Sequence, residues 1–235
     1  MSKARVIALV LVVALFGAAA FALSREGRFG PRTDKPGLLL LTSLPLVFSE
    51  DFSLDQKGSP MLAALRSRYR VVPIDVTDPA SLAKGRLLMM AQPRAQTPDN
   101  LVALDRWVRS GGHVLLLADP ALDWPSSKPL ADPTRAPPMY PDTGLLAHWG
   151  LRLDSPDRRG PAAGTIGGRA VLTMSPGTLS GDCAISDHGL VARCPLGKGK
   201  ATIIADADLL DSADLGEQAA GNDRAILAEL DSLEW

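Results

Sequence analysis

The sequence predicts an α/β fold in which a doubly wound, mostly parallel sheet is preceded by one N-terminal transmembrane helix. Three observations lead to this prediction. Apolar runs alternate with helical patterns from residue 37 to residue 118. Short alternating stretches between about residues 155 and 199 indicate a small antiparallel β insertion. An uncharged apolar run covers residues 6–23.

The N-terminal run is long enough to span a membrane. Its 18 residues follow Lys3 and Arg5, whereas a signal-peptide core is usually about 7–15 residues long. This length favours an uncleaved anchor over residues 1–23. The small residues Ala18, Ala20 and Ala22 also fit a cleavage site, so a cleaved signal peptide stays open.

The segment behind the run predicts an exported domain. Residues 24–36 combine Gly, Pro and charge without an apolar period, which indicates a tether. The folded domain is expected over residues 37–235. The short N-terminal tail and the two cysteines favour a single-pass protein of the bacterial inner membrane with its domain in the periplasm.

Each element of the first half has its own signal. The apolar runs predict strands, and Pro60 and Pro98 suit the first position of helices capped by Ser59 and Thr97. Gly111 is expected to end the second helix. The predicted order is strand 37–43, helix 60–69, strand 70–76, a helical turn at 77–79, strand 85–92, helix 97–111 and strand 113–118.

The second half is less regular. Residues 119–141 are proline-rich without a period, which predicts a long irregular loop. The expected elements that follow are helix 145–149, strand 151–154, antiparallel stretches at 169–174, 181–186 and 190–194, strand 201–205 and closing helix 222–233.

Two cysteines flank a predicted turn. Cys183 and Cys194 are placed symmetrically about His188 and Gly189, so a two-residue hairpin turn there would set them opposite each other. In an exported protein this pattern favours a disulfide of about 2–4 kcal/mol. Two unpaired buried thiols are the alternative.

Composition excludes several function classes. Lys and Arg number 25 against 26 Asp and Glu, which is no basis for binding nucleic acid. Two Cys and 3 His are too few for a structural Cys/His zinc site. The sequence contains no GxGxxG, GxxxxGK[ST] or GxSxG pattern, so we predict no cofactor and no metal.

Candidate binding residues follow the predicted strands. Ligands of doubly wound folds bind at the carboxyl ends of the strands. The predicted rim there contains Thr42, Ser43, Gln92, Asp119, Asp123 and Trp124. Turn formation and loop packing are the structural alternative for the last three residues. The acidic residues from Asp206 to Asp214 are interpreted as a solvated loop, because their spacing fits no calcium loop.

One stretch carries a family resemblance. Residues 101–120 (LVALDRWVRSGGHVLLLADP) and 197–210 (GKGKATIIADADLL) resemble membrane-anchored glutamine-amidotransferase-like domains, especially the auxiliary component of gliding-motility-type ABC transport systems. The resemblance implies a flavodoxin-like layer. True amidotransferases need a nucleophilic Cys at a strand-to-helix elbow, and this chain has Leu88–Ala91 and Leu116–Asp119 at those strand ends.

Three functions are compatible with these patterns, the third being a solute-binding domain, which would show a closed apolar pocket with a few polar groups. The first is a non-catalytic, membrane-tethered auxiliary or binding protein, whose exported domain binds a partner or ligand of a bacterial envelope or ABC-type transport system, such as a permease or ATPase. The second is a periplasmic hydrolase of an envelope saccharide or peptide acting through Asp119 and Asp123, which would need the two carboxyl groups about 5–9.5 Å apart.

Overall fold

The computed structural model describes residues 35–48 and 58–234. The predicted anchor over residues 1–23 and the tether up to residue 34 lie outside the described residues. The described residues form eleven strands, which in chain order are β1 Gly37–Thr42, β2 Arg70–Pro73, β3 Leu87–Ala91, β4 His113–Leu117, β5 Leu151–Asp154, β6 Pro161–Ile166, β7 Arg169–Met174, β8 Thr178–Gly181, β9 Ala184–Ser186, β10 Val191–Leu196 and β11 Gly199–Ile204.

The helices begin where the capping residues predict. Ser59 Oγ accepts from Leu62 N at 3.1 Å, and Thr97 Oγ1 accepts from Asn100 N at 3.3 Å, so both capped ends are satisfied. The helices are α1 Pro60–Arg68, α2 Pro79–Leu82, α3 Pro98–Arg109, α4 Leu145–His148 and α5 Asn222–Glu234. Short 3₁₀ turns cover Asp187–Gly189, Asp208–Leu210 and Gly216–Ala219.

The main sheet has seven strands in the order β2-β1-β3-β4-β11-β10-β9. The five strands from β2 to β11 run parallel. Strand β10 runs antiparallel to both of its neighbours. Two further two-stranded sheets pair β5 with β8 and β6 with β7.

This architecture corrects the predicted fold class. The sheet is mixed: five strands run parallel as predicted, but its antiparallel strands belong to the same sheet, so it is not a doubly wound flavodoxin-like sheet with a separate antiparallel insertion. Strands β9 and β10 fall inside the predicted insertion at 155–199, yet they extend the main sheet through β11. The alternating pattern revealed a local hairpin but not which edge it would join, because edge pairing depends on contacts distant in sequence.

No helix among the residues that the structure describes is long and apolar enough to cross a membrane. The described part of the chain therefore gives no support for the predicted transmembrane helix or for the predicted location in a bacterial inner membrane with a periplasmic domain. The run that prompted both, residues 6–23, lies outside it.

The core is built on parallel strands that are buried on both faces. Residues Leu38–Leu41, Leu87–Ala91 and Val114–Leu117 are each at most 4% exposed. This burial explains why the strands read as continuous apolar runs. Helices α1 and α5 pack together, as do α2 and α3. Right-handed crossovers place these two pairs on opposite faces of the sheet.

The predicted disulfide is confirmed. Cys183 and Cys194 are bonded, with their Cα atoms 4.8 Å apart. The register of β9 and β10 pairs Ser186 with Val191, so four residues form the turn rather than the two expected. The bond closes the outermost hairpin of the main sheet.

We expect Gly199→Ala to lower the free energy of unfolding by about 2–3 kcal/mol. A Cβ at position 199 would collide with the carbonyl oxygens of Gly112 and Val108, and backbone cannot move aside cheaply. Urea denaturation followed by tryptophan fluorescence measures the change. The control is Gly164→Ala, where the nearest atoms lie 3.6 Å from the new Cβ. An equal loss in both variants would contradict the collision argument.

Candidate functional site

The carboxyl ends of β1, β3, β4 and β11 meet at one edge of the sheet, because these strands are parallel. The residues at or just beyond the ends are Thr42 and Ser43 for β1, Gln92 for β3, Asp119 for β4 and Asp206 for β11. The topology therefore brings polar side chains from four separate segments to one place.

Thr42 and Ser43 fasten the end of β1 to the end of β3. Thr42 Oγ1 donates to the carbonyl oxygen of Ala91 at 2.9 Å and accepts from Leu44 N at 3.0 Å. Ser43 Oγ donates to the carbonyl oxygen of Gln92. These hydroxyl groups are thus engaged with the backbone rather than directed at a ligand.

Gln92 joins the sheet to the segment that covers its edge. Its side chain is fully buried, and its φ of 43° is uncommon for a residue other than glycine. Its Oε1 accepts from Asp119 N at 2.9 Å. Its Nε2 donates to the carbonyl oxygens of Asp119 and Pro137, both at 3.1 Å. These three hydrogen bonds hold residues 119–141, called the cover loop from here on, over the strand ends.

Three buried carboxylates form an acidic centre, defined as Asp119, Asp206 and Asp208. One carboxylate oxygen from each lies within 4.8 Å of the others. Asp119 and Asp206 are fully buried and Asp208 is 3% exposed. Like charges this close inside a protein repel strongly, so the centre must hold protons or be compensated by donors.

Backbone N–H groups supply that compensation. Asp119 accepts from Ala121 N at 2.7 Å and from Ala207 N at 2.9 Å. Asp206 accepts from Met174 N at 2.7 Å and from Leu209 N at 3.1 Å.

Asp208 links the centre to the cover loop, since its Oδ2 accepts from Asp123 N at 2.8 Å. The donors on the three carboxylates thus come from the cover loop, from strand β7 and from the turn after β11.

Asp123 lies at the outer side of the centre. Its Oδ1 accepts from Arg159 Nη1 at 3.1 Å, and its Oδ2 accepts from Ser175 Oγ at 2.5 Å. Ser175 is fully buried with a φ of 52°, and its Oγ accepts from Gly160 N at 3.0 Å. Asp123 therefore connects the cover loop to the segments before β6 and after β7.

Trp124 packs against the core and borders a small cavity of about 20 Å³. Pro45, Leu122 and Pro138 also line this space. A drug-sized ligand needs about 300–1,000 Å³. The rim of the sheet is therefore filled by its own cover loop.

Burial dominates the electrostatics of the acidic centre. Loss of hydration raises the pKa of Asp119 to about 6, against the pull of the N–H groups of Ala207 and Ala121. The same cause raises the pKa of Asp208 to about 7, where Asp119 and Asp123 add repulsion. Burial, followed by repulsion from Asp119, also raises the pKa of Asp206.

The chemistry of the centre is that of a proton-holding internal network. Three carboxylates could in principle offer oxygen ligands to a hard cation. Here the oxygens of Asp119 and Asp206 accept N–H bonds from the surrounding backbone. A partly protonated network satisfied by the fold is consistent with every contact the structure gives them.

The structure groups only some of the predicted rim residues. Gln92 and Asp119 are bonded directly, and Thr42 and Ser43 adjoin them through the end of β3. Asp123 reaches the group through Asp208, whereas Trp124 lines the separate small cavity. The structural alternative, turn formation by Asp119 and loop packing by Trp124, describes what these residues do.

Sequence reasoning missed Asp206, Asp208 and Ser175. The interpretation of 206–214 as a solvated acidic loop is wrong for its first part, since Asp206 and Asp208 are buried. One signal could have identified Asp206: it stands two residues after the end of a central apolar strand, just as Asp119 stands two residues after the end of β4.

Comparison with known proteins finds likeness in structure alone. No family model and no curated protein matches the chain. Among solved structures, the cytoplasmic protein STM1381 from Salmonella typhimurium LT2 has 12% identity and a TM-score of 0.55, covering 84% of this chain and 99% of that one. The mmIFT52 N-terminal domain has 15% identity and a TM-score of 0.53, covering 82% and 94%.

An enzyme also shares the fold. The exo-β-1,4-mannosidase Op5Man5 from Opitutaceae bacterium strain TAV5 has 15% identity and a TM-score of 0.52 over 89% of this chain. This chain spans only 38% of that enzyme's length. At such identities the likeness establishes the fold alone.

These findings correct part of the predicted description. None of the three proteins is described as a membrane protein, a glutamine-amidotransferase-like domain or an ABC transporter component. The comparisons thus give no support for the predicted terms membrane protein, ABC transporter auxiliary and glutamine-amidotransferase-like. No match tests the resemblance over residues 101–120 and 197–210, which stays a prediction.

We expect Asp208→Asn to stabilise the protein, relative to wild type, by about 2 kcal/mol more at pH 8 than at pH 5. The raised pKa of Asp208 means that the folded state holds its proton more tightly than the unfolded chain. That stability is present in acid and is lost as pH rises from about 4 to about 7. Asparagine cannot ionise and keeps the acceptor for Asp123 N.

Urea unfolding at the two pH values measures this difference. The control is Asp157→Asn, because Asp157 is exposed and makes none of the contacts described here. If both variants show the same difference between pH 5 and pH 8, Asp208 does not hold a proton in the folded state.

Proposed function

We propose that this protein is a non-catalytic binding domain. The single observation that carries the proposal is the closure of the carboxyl rim. Asp119, Gln92 and Asp206 are fully buried, and their side chains bond to the protein's own backbone. A catalytic group must reach its substrate within hydrogen-bond distance.

The hydrolase alternative has poor geometric support. Both carboxylate oxygens of Asp119 accept N–H bonds from within the fold. Asp123 is partly exposed but is bonded to Arg159 and Ser175. The cavity beside Trp124 holds no more than about a water molecule, far less than a sugar ring.

An open surface exists elsewhere. A groove of about 650 Å³ lies between the β6–β7 hairpin and the start of α5, away from the strand ends. Its walls contain apolar side chains and two arginines, with no general base or nucleophile. Such a surface suits binding without chemistry, and we assign the binding role to it.

We expect no hydrolysis by the full-length protein of chromogenic β-mannosides, β-galactosides or a casein-derived peptide mixture above the buffer rate. These sugars are chosen because a mannosidase shares the fold. The matched variants are Asp123→Asn, at the one partly exposed acid of the predicted pair, and Asp157→Asn as the control. Turnover that Asp123→Asn abolishes and Asp157→Asn retains would overturn the proposal.

Binding through the groove has a direct readout. A photo-crosslinking amino acid placed at Ala170, which is exposed in the groove, should yield a discrete adduct in cells of the native host. The same amino acid at Val102, exposed on α3, should yield none. Equal labelling at both positions, or at neither, would contradict a binding role for the groove.

A further inference from the structure

The groove has a floor of apolar side chains on extended backbone, several of them small. Ala163 of β6 and Ala170 of β7 lie along it, with Val171 and Leu172 of β7 beside them, and Gly221 closes one side at the start of α5. Because Ala163, Ala170 and Gly221 have at most a methyl side chain, a ligand's own backbone can approach the hairpin closely there. An open, shallow groove on a two-stranded sheet suits an extended chain rather than a compact metabolite.

Two arginines give the groove its charge. Arg169 and Arg224 line it, and both are exposed. Within residues 35–48 and 58–234, Arg169 donates only to the carbonyl oxygen of Gly167, at 3.4 Å. Among the described residues, neither guanidinium forms an ion pair, whereas Arg193 nearby is paired with Glu229 at 2.7 Å. The groove thus carries two positive charges without carboxylate partners.

No neighbouring acid forms an ion pair with Arg169 or Arg224 among the described residues. Glu229 is buried and taken by Arg193. Asp223, next to Arg224 in sequence, has a buried Oδ1 that receives no hydrogen bond in the described part of the chain, so that oxygen is turned away from solvent. A ligand bearing carboxylates would supply the acceptors that both guanidinium groups lack.

Nucleic acid fits the groove less well. Its lining contains no aromatic side chain on which a base could stack. The chain carries a formal charge of -1, which gives no general attraction for a polyanion. An acidic segment with small apolar residues between the acids complements both the arginines and the alanine floor.

We infer that the groove between β6–β7 and α5 binds an extended acidic peptide segment of a partner protein, held by Arg169 and Arg224. This inference rests on the proposed binding function and names the chemistry of its partner. The acids of the segment pair with the guanidinium groups, and its small residues face Ala163 and Ala170.

The test uses the full-length protein and three fluorescent nine-residue peptide pools. The pools carry Asp and Glu, Asn and Gln, or Lys and Arg at alternate positions, with Ala, Ser or Val between them. Fluorescence anisotropy should show binding of the acidic pool about tenfold tighter than the amide pool, with none of the basic pool. Equal affinity for acidic and amide pools would overturn the inference.

Matched charge reversals locate the binding. Arg169→Glu and Arg224→Glu should each weaken binding of the acidic pool about tenfold, and the pair together should abolish it. Arg106→Glu is the control, because Arg106 is exposed on α3, outside the groove, and changes the net charge equally. A similar loss in all three variants would show only a general charge effect and would overturn the inference.

Two other occupants are distinguished in the same samples. Light scattering should give the same mass for wild type and the double variant, since a second copy in the groove would dissociate on charge reversal. A fluorescent dT₁₂ oligonucleotide should bind no tighter than the amide pool. If wild type is a dimer that the double variant loses, or if the oligonucleotide binds tightly, the inference of an acidic peptide ligand is overturned.

The experiments distinguish failure of the acidic-peptide inference from failure of the proposed binding function. Loss of the acidic preference with an intact Ala170 adduct leaves a binding domain with different partner chemistry. Turnover that depends on Asp123 would reject the binding role itself.

Discussion

The burial of three carboxylates at the edge of the main sheet is the constraint on which this structure depends. A buried polar group left without a partner costs about 1–3 kcal/mol, and a charged one costs more. Asp119, Asp206 and Asp208 avoid that cost by accepting N–H groups from the cover loop, β7 and the turn after β11. Segments with few apolar side chains of their own are thereby fixed to the strand ends. The rim that could have been a cleft is occupied as a result.

Local signals in the sequence were reliable where they depended on neighbouring residues. The capped helices at Pro60 and Pro98 begin where Ser59 and Thr97 predict, because a cap is satisfied within one helical turn. The disulfide between Cys183 and Cys194 followed from symmetry about a single turn. The sequence did not show which strand that hairpin would pair with, since the pairing of β10 with β11 is decided by burial across the whole sheet.

The candidate site was harder to predict because its acidic residues are buried, whereas acidic residues in a loop are usually exposed to solvent. Asp206 and Asp208 look like solvent-exposed loop residues, and only the three-dimensional placement of their N–H donors shows otherwise. Ser175 carries no sequence signal at all, since its role depends on a left-handed backbone next to Asp123. The arginines of the groove come from β7 and α5, and no spacing rule brings positions 169 and 224 together. The proposed binding role therefore rests on a juxtaposition that only the fold reveals.

The disulfide and a single proline make both borders of the main sheet poor places for another strand to pair. The main sheet ends in β2 on one side and β9 on the other. Pro73 removes a donor from β2, and β9 is only three residues long and covalently tied to β10 through Cys183. Neither border offers a long row of free backbone groups to a neighbouring molecule. The sheet therefore resists edge-to-edge stacking at high concentration, a hazard that many open sheets must counter with charged borders.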